Sequence, residues 1–213
     1  MAHGFFLVLE GPEAAGKSTL ARALVTRLRE HGIEPVLVRE PGGTPVAEAL
    51  RRELLDAHRE WSPAMELLYL VTARADLVTN VIRPALNEGK TVLSDRYDLS
   101  TIAYQGAGRE LPVEMVRWVN EAATGGLRPD LTLVLDADAD VIRERQQRSG
   151  KGLDRMEREP AEFHARVAEA YRAAAGPGVH HLVGAASPDR VLDEAWRMMA
   201  AAHPAALRPV ASS

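Results

Sequence analysis

No cysteine occurs in the 213 residues, which excludes disulfide bonds and thiolate metal ligands. Long apolar runs are missing too. No stretch approaches the eighteen or so apolar residues of a membrane span, and Met1-Ala2-His3-Gly4 leads into a strand pattern without the basic region of a signal peptide. The expectation is a cytoplasmic protein with no membrane partner. Lysine is scarce. Of 26 basic residues only Lys17, Lys90 and Lys151 are lysines, so Lys17 stands out against an arginine-rich background. An excess of positive charge is also absent, and the net charge of -4 with a pI near 6.0 argues against a nucleic-acid partner. What remains is ordinary for a globular chain, with 46% hydrophobic and 26% charged residues. The length suits one core, so a single domain is expected over residues 1–203, with a frayed tail over 204–213.

Residues 11 to 18 read Gly-Pro-Glu-Ala-Ala-Gly-Lys-Ser, a G-x-x-x-x-G-K-[ST] phosphate loop. It follows the apolar run Phe5-Phe6-Leu7-Val8-Leu9 and precedes a helical pattern. Gly11 and Gly16 allow the backbone to wrap a polyphosphate, Lys17 brings a mobile charge, and Ser18 brings a hydroxyl for Mg2+. The rest of the chain alternates apolar runs of β type with helix-length amphipathic segments, which predicts an α/β fold with a five-stranded parallel sheet and helices on both faces. Strands are predicted near 5–10, 35–39, 91–95, 131–136 and 178–183. Helices are predicted near 17–31, 44–57, 63–87, 112–124, 138–148, 159–174 and 188–202, with Thr44, Ser62 and Ser187 as caps.

Ligands in such sheets sit beyond the carboxyl ends of the strands, and polar or glycine-rich sequence follows four of them. Glu13, inside the phosphate loop, either meets Mg2+ or a sugar hydroxyl or faces solvent. Arg39-Glu40-Pro41-Gly42-Gly43-Thr44 presents either a guanidinium fork to a phosphate or an ordinary turn. Asp95-Arg96 serves either Mg2+ and phosphates or a salt bridge at the sheet edge. The stretch from Arg143 to Arg155 reads as a mobile basic lid or a solvated helix end. The seven histidines carry no assigned chemistry.

Together, the phosphate loop, Arg39-Glu40-Pro41-Gly42-Gly43-Thr44, Asp95-Arg96-Tyr97 with Tyr104-Gln105-Gly106, and Leu153-Asp154-Arg155 resemble thymidylate kinases of the bacterial type. The resemblance runs from the first strand to the last helix. It implies the three-layer fold of P-loop NTPases, a homodimer, and transfer of a phosphoryl group from ATP to dTMP with Mg2+. It implies ATP binding by Gly11, Pro12, Glu13, Ala14, Ala15, Gly16, Lys17, Ser18 and Thr19, and metal binding by Ser18 and Asp95, the latter directly or through water. Arg39 and Arg96 would hold the acceptor phosphate, and Glu13 would lie near it and the sugar. Arg74 would read the 4-oxo group of thymine, Thr101 and Gln105 would face the pyrimidine edge beside Ser100, and Tyr104 would crowd a 2'-hydroxyl. Lys17, Arg96, Glu13 and the lid residue Arg148 form the implied catalytic set, with Arg148 supplying the cation to the transition state.

The sequence departs from this pattern at Leu70, where the family places an aromatic ring stacked on thymine. Tyr69 lies one residue earlier, about 100° away around a helix. The departure leaves dUMP or a modified pyrimidine monophosphate as alternative acceptors. Glu13 replaces the more usual Asp. A GTPase-type switch is disfavoured, since neither D-x-x-G nor N-K-x-D occurs.

Overall fold

The structure, a computed structural model, describes residues 4–137, 142, 144 and 154–204. Five strands form the sheet: β1 (Phe5–Glu10), β2 (Val36–Arg39), β3 (Thr91–Asp95), β4 (Leu131–Asp136) and β5 (Val179–Val183). They run parallel in the order β2-β3-β1-β4-β5. β1 is central and buried throughout, and this explains its unbroken apolar run.

The twofold alternation of strand side chains sends β1 to both faces. Phe5, Leu7 and Leu9 join Leu93, Leu131, Leu133 and Leu135 in a core covered by α1 (Lys17–Glu30) and by α8 (Pro188–Ala202). Phe6 and Val8 pack on the opposite side against Leu77, Val78, Ile82 and Tyr97. That second layer contains α3 (Pro63–Leu77), which continues through a π-helical turn at Val78–Ile82 into α4 (Arg83–Asn87). The turn corrects the expectation of one uninterrupted helix over 63–87. Pro84, next to the junction, has no N–H to donate, so a regular α ladder cannot run through it.

After β3 the chain forms α5 (Asp98–Thr101) and a second π-helical segment, Ile102–Gly108, neither of which was expected. α6 (Val113–Thr124) and α7 (Ala161–Arg172) complete this layer, α7 packing Phe163, Val167 and Tyr171 against Ala103, Tyr104 and Val134. α2 (Pro45–Leu55) lies beside α3. Thr44 and Ser62 cap α2 and α3 through bonds from Ala47 N and Met65 N, whereas Ser187 precedes α8 without a side-chain cap. Of the helix expected over 138–148, only 142 and 144 are described, and residues 205–213 of the expected tail fall outside the described residues.

β1 and β4 approach so closely that the phosphate loop can begin only with glycine. Gly11 has φ +133°, and a Cβ there would lie 2.6 Å from the Leu135 carbonyl oxygen. Both conditions penalise any side chain. Gly11→Ala is therefore expected to destabilise the protein by about 2 kcal/mol or more, read as a lowered urea midpoint. An unchanged midpoint would disprove the close approach.

Candidate active site at the carboxyl ends of the strands

A single cleft of about 650 Å³ opens above the carboxyl ends of β1, β2 and β3. At one end is the phosphate loop, and Gly16, at φ +108°, starts α1. Lys17 is buried and lies back across its own loop, donating to the Gly11 and Pro12 carbonyls at 2.9 and 2.7 Å. Burial, with the Arg96 charge added to it, lowers the Lys17 ammonium to about 8. Ser18 Oγ donates to Asp95 Oδ2 at 2.6 Å, so the loop hydroxyl and the β3 carboxylate meet. Ser18 and Thr19 are exposed at the mouth of the loop.

Facing the loop is Arg96. Its φ of +80° is unusual for a residue with a side chain. Bonds from Arg96 N to Leu9 O, 2.9 Å, and from Ser94 Oγ to Arg96 O, 2.7 Å, hold the backbone there. The guanidinium is 12% exposed. Nη1 donates to Gly11 O, Ser100 Oγ and Tyr171 Oη, while Nη2 donates to Glu13 Oε1 at 2.6 Å and to Tyr104 Oη at 3.2 Å. Burial alone would raise the Glu13 carboxyl, but Arg96 and Lys17 outweigh it and hold it at about 2. Glu10 stands beneath, accepting from Tyr97 N, Ser100 N, Ser100 Oγ and Tyr171 Oη. Burial pushes Glu10 up to about 7 against the pull of Ser100, Arg96 and the Tyr97 amide.

Arg74 forms part of the far wall and is buried. Its Nε donates to Glu40 Oε2 at 2.7 Å, its Nη2 to Tyr97 O at 2.8 Å, and its Nη1 to Thr101 Oγ1 at 2.8 Å and to Asn120 Oδ1. Leu70 lines the cleft. Tyr69 does not replace it. Its ring packs edge-on against Trp61 with centroids 4.4 Å apart, as the 100° rotation requires. Gln105 lines the cleft beside Thr101, with its amide nitrogen on Glu66 Oε1 at 2.7 Å. Arg39 is about half exposed at the rim and pairs with Glu48 at 3.0 Å. Arg148, like most of the expected lid over 143–155, lies outside the described residues; Glu144, Asp154 and Arg155 do not.

A polyphosphate loop facing a buried arginine across one cleft invites comparison with known phosphotransferases. The sequence model of the family described as Thymidylate kinase matches residues 9–195. The chain belongs to the thymidylate kinase family. Among relatives, the thymidylate kinase of Pseudomonas fluorescens is 50% identical over 188 residues, covering 87% of this chain and 89% of that one. The thymidylate kinase of Cereibacter sphaeroides is 43% identical over 207 residues, covering 93% and 95%. A crystal structure of thymidylate kinase from Ehrlichia chaffeensis, 27% identical, superposes with a TM-score of 0.75 over 92% of this chain and 99% of its own. The fold is therefore that of the P-loop NTPases, and the chain is an ATP-dependent kinase.

Reading the sequence missed several residues of this thymidylate kinase fold that shape the cleft. Tyr171 and Asn120, on α7 and α6 far away in the chain, hold the cleft arginines Arg96 and Arg74, and Arg51 lines the cleft from α2, donating to Pro41 O at 2.8 Å. Glu10 carried a signal, since a carboxylate ending a buried strand demands donors.

Tyr171 gives its hydroxyl hydrogen to Glu10 and accepts from Arg96. Tyr171→Phe leaves both buried side chains short of a partner and is expected to cost about 1–2 kcal/mol of stability, measured by urea unfolding at neutral pH. A loss near zero would show that Ser100 satisfies both without it.

Proposed function

We propose that the protein transfers the γ-phosphoryl group of ATP to dTMP, giving dTDP and ADP, as one domain over residues 1–203. The observation that supports this most directly is that the Lys17 loop and the Arg96 guanidinium line one cleft together, in a chain of the thymidylate kinase family. The acceptor's phosphate oxygen is already ionised at neutral pH, so no side chain has to deprotonate a nucleophile; alignment and neutralisation of charge carry the reaction.

In this reading residues 11–19 cradle the ATP phosphates, and Lys17 exchanges its loop carbonyls for phosphate oxygens. Arg96 and Arg39 clamp the acceptor phosphate, with Arg51 adding charge from α2. Glu13 keeps Arg96 in place and approaches the acceptor sugar, where Tyr104 limits room for a 2'-hydroxyl. Arg74, fixed by Glu40 and Asn120, reaches the 4-oxo group by exchanging its bond to Thr101 Oγ1, and Ser100, Thr101 and Gln105 complete the wall. Leu70 offers the base an aliphatic surface. On resemblance alone, Arg148 is the cation that meets the transferring group.

Mg2+ suits the donor set. Ser18 Oγ and Asp95 Oδ2 stand 2.6 Å apart, two hard oxygen ligands of the kind that share this ion with phosphates and water. Among the described residues no group of three His, Cys, Asp or Glu forms a cage of its own. Bound there, the ion would neutralise charge on the β- and γ-phosphates. A cytoplasmic address accords with soluble nucleotide substrates, and among the described residues no helix is long and apolar enough to cross a membrane.

A homodimer belongs to the same proposal. Among the apolar residues of α3, the π-helical turn after it and α6, Leu67, Leu77, Val78, Ile82 and Val116 are buried within the protomer. Met65 and Leu68 on α3, and Met115 and Trp118 on the adjoining α6, are exposed, Trp118 by 70%. This is the surface offered to a second copy.

A coupled ADP-release assay with ATP, Mg2+ and dTMP, dUMP, 5-hydroxymethyl-dUMP, dCMP, UMP or no acceptor tests the reading. Turnover is expected to be greatest with dTMP. Preference for another monophosphate would reassign the acceptor, and hydrolysis independent of any acceptor would sink the transferase. For the dimer, light scattering should give twice the chain mass, and Trp118→Asp should shift it toward the monomer; a monomeric unaltered protein would refute this part.

A further inference from the structure

Glu66 is a carboxylate in the first turn of α3 that the reaction does not use, yet its side chain is only 1% exposed. Oε1 accepts from Gln105 Nε2 at 2.7 Å and from Arg109 Nε at 3.2 Å. Oε2 accepts from Arg109 Nη2 at 2.9 Å and from Arg155 Nη2 at 2.6 Å. Burial works to raise the carboxyl, but Arg109, Gln105 and Arg155 hold it below its ordinary value. The group is an anion with acceptors only.

An anion at this position decides which way the Gln105 amide points. The two ends of a glutamine amide have the same shape and opposite hydrogen-bonding character, so only the network fixes its orientation. Glu66 can accept but not donate. Gln105 must turn its nitrogen to Glu66, which leaves its carbonyl oxygen as the polar group it offers the cleft it lines.

From this arrangement we infer that Glu66 is a positioning residue for acceptor specificity, holding Gln105 so that the cleft shows an acceptor to the N3 position of the base. Thymine and uracil carry a hydrogen at N3 and are received. Cytosine carries a lone pair there and meets the Gln105 oxygen with repulsion. Part of the discrimination against dCMP, beside that of Arg74 at the 4-oxo group, thus originates in a carboxylate that never touches the nucleotide. The arginines matter too, because Arg109 and Arg155 supply the charge that keeps Glu66 ionised in a buried place. This inference rests on the assignment of dTMP as acceptor.

The substitution Glu66→Gln tests it with almost no change of shape. The oxygen of the new amide stays with Arg109 Nη2 and Arg155 Nη2, which can only donate, and its NH2 turns toward Gln105 at the loss of the 3.2 Å bond from Arg109 Nε. Gln105 must then rotate and present its own NH2 to the cleft. The ratio of kcat/KM for dTMP to that for dCMP is expected to fall by about tenfold or more, with the KM for ATP nearly unchanged. A merely structural role for Glu66 would lower both acceptors together and leave the ratio alone. Gln105→Met, which spares the arginine cluster, should lower the same ratio, and adding Glu66→Gln to it should change the ratio no further.

An unaltered ratio in folded Glu66→Gln, or in Gln105→Met should the first variant fail to fold, overturns the positioning role while leaving the dTMP kinase reading intact. Absence of dTMP turnover in the unaltered protein removes that reading, and the inference with it.

Discussion

A guanidinium sunk at the base of a cleft has to find acceptors for its N–H groups or forfeit several kcal/mol of solvation. Arg96 finds them in four separate segments of the chain. Gly11 and Glu13 come from the loop after β1, Ser100 from α5, Tyr104 from the π-helical segment and Tyr171 from α7. The strained backbone of Arg96 itself is secured to β1 through Leu9. Loop, sheet and helical layer are thus registered to one charge. A shift of any of them strands a donor, so the same bonds that place the arginine opposite the phosphate loop also oppose relative movement of these elements.

Two further arginine clusters stand along the wall proposed for the acceptor. Arg74 draws together the turn after β2, α6 and the start of α5 through Glu40, Asn120, Thr101 and the Tyr97 carbonyl. Glu66 gathers Arg109, Arg155 and Gln105 from three other places. Neither cluster needs to be stabilising against an apolar alternative of equal volume, since desolvation consumes much of the gain. Their value lies in geometry. Planar forks with several fixed partners hold polar edges at defined positions, and discriminating between nucleobases needs that rigidity more than it needs affinity.

The phosphate loop and the five strands were legible because each is a local pattern. Glycine spacing, a single Lys-Ser pair and uniformly apolar runs carry their meaning within a dozen residues. Arg96 and Arg39 were legible as charges following strands. Tyr171, Asn120 and Arg51 were not, because their roles arise only when distant helices pack, and an isolated tyrosine, asparagine or arginine on a helix has no periodicity to betray it. Glu66 read as an ordinary charge in a helix's first turn. The helical segment from Asp98 to Gly108 escaped because its glycines and polar residues suggest a loop, whereas packing against α7 makes it helical. The one-residue offset of Tyr69 was legible as a rotation, and the Trp61 contact gives it a destination.

The distribution of lysine and arginine follows from the same division between rigid and mobile charge. In the proposed reading, arginines with many partners serve the acceptor end, where position matters most. At the donor end stands Lys17, a compact charge on a flexible stem, resting on loop carbonyls and lowered to about 8 by burial and by Arg96. A polyphosphate placed in the loop supplies the negative charge that its surroundings lack, and so favours the protonated ammonium. The Lys17 and Arg96 charges oppose each other, and Glu13 attracts both. In the proposed reading, phosphates placed against both cations give them a common partner, and their mutual repulsion becomes attraction for the ligand.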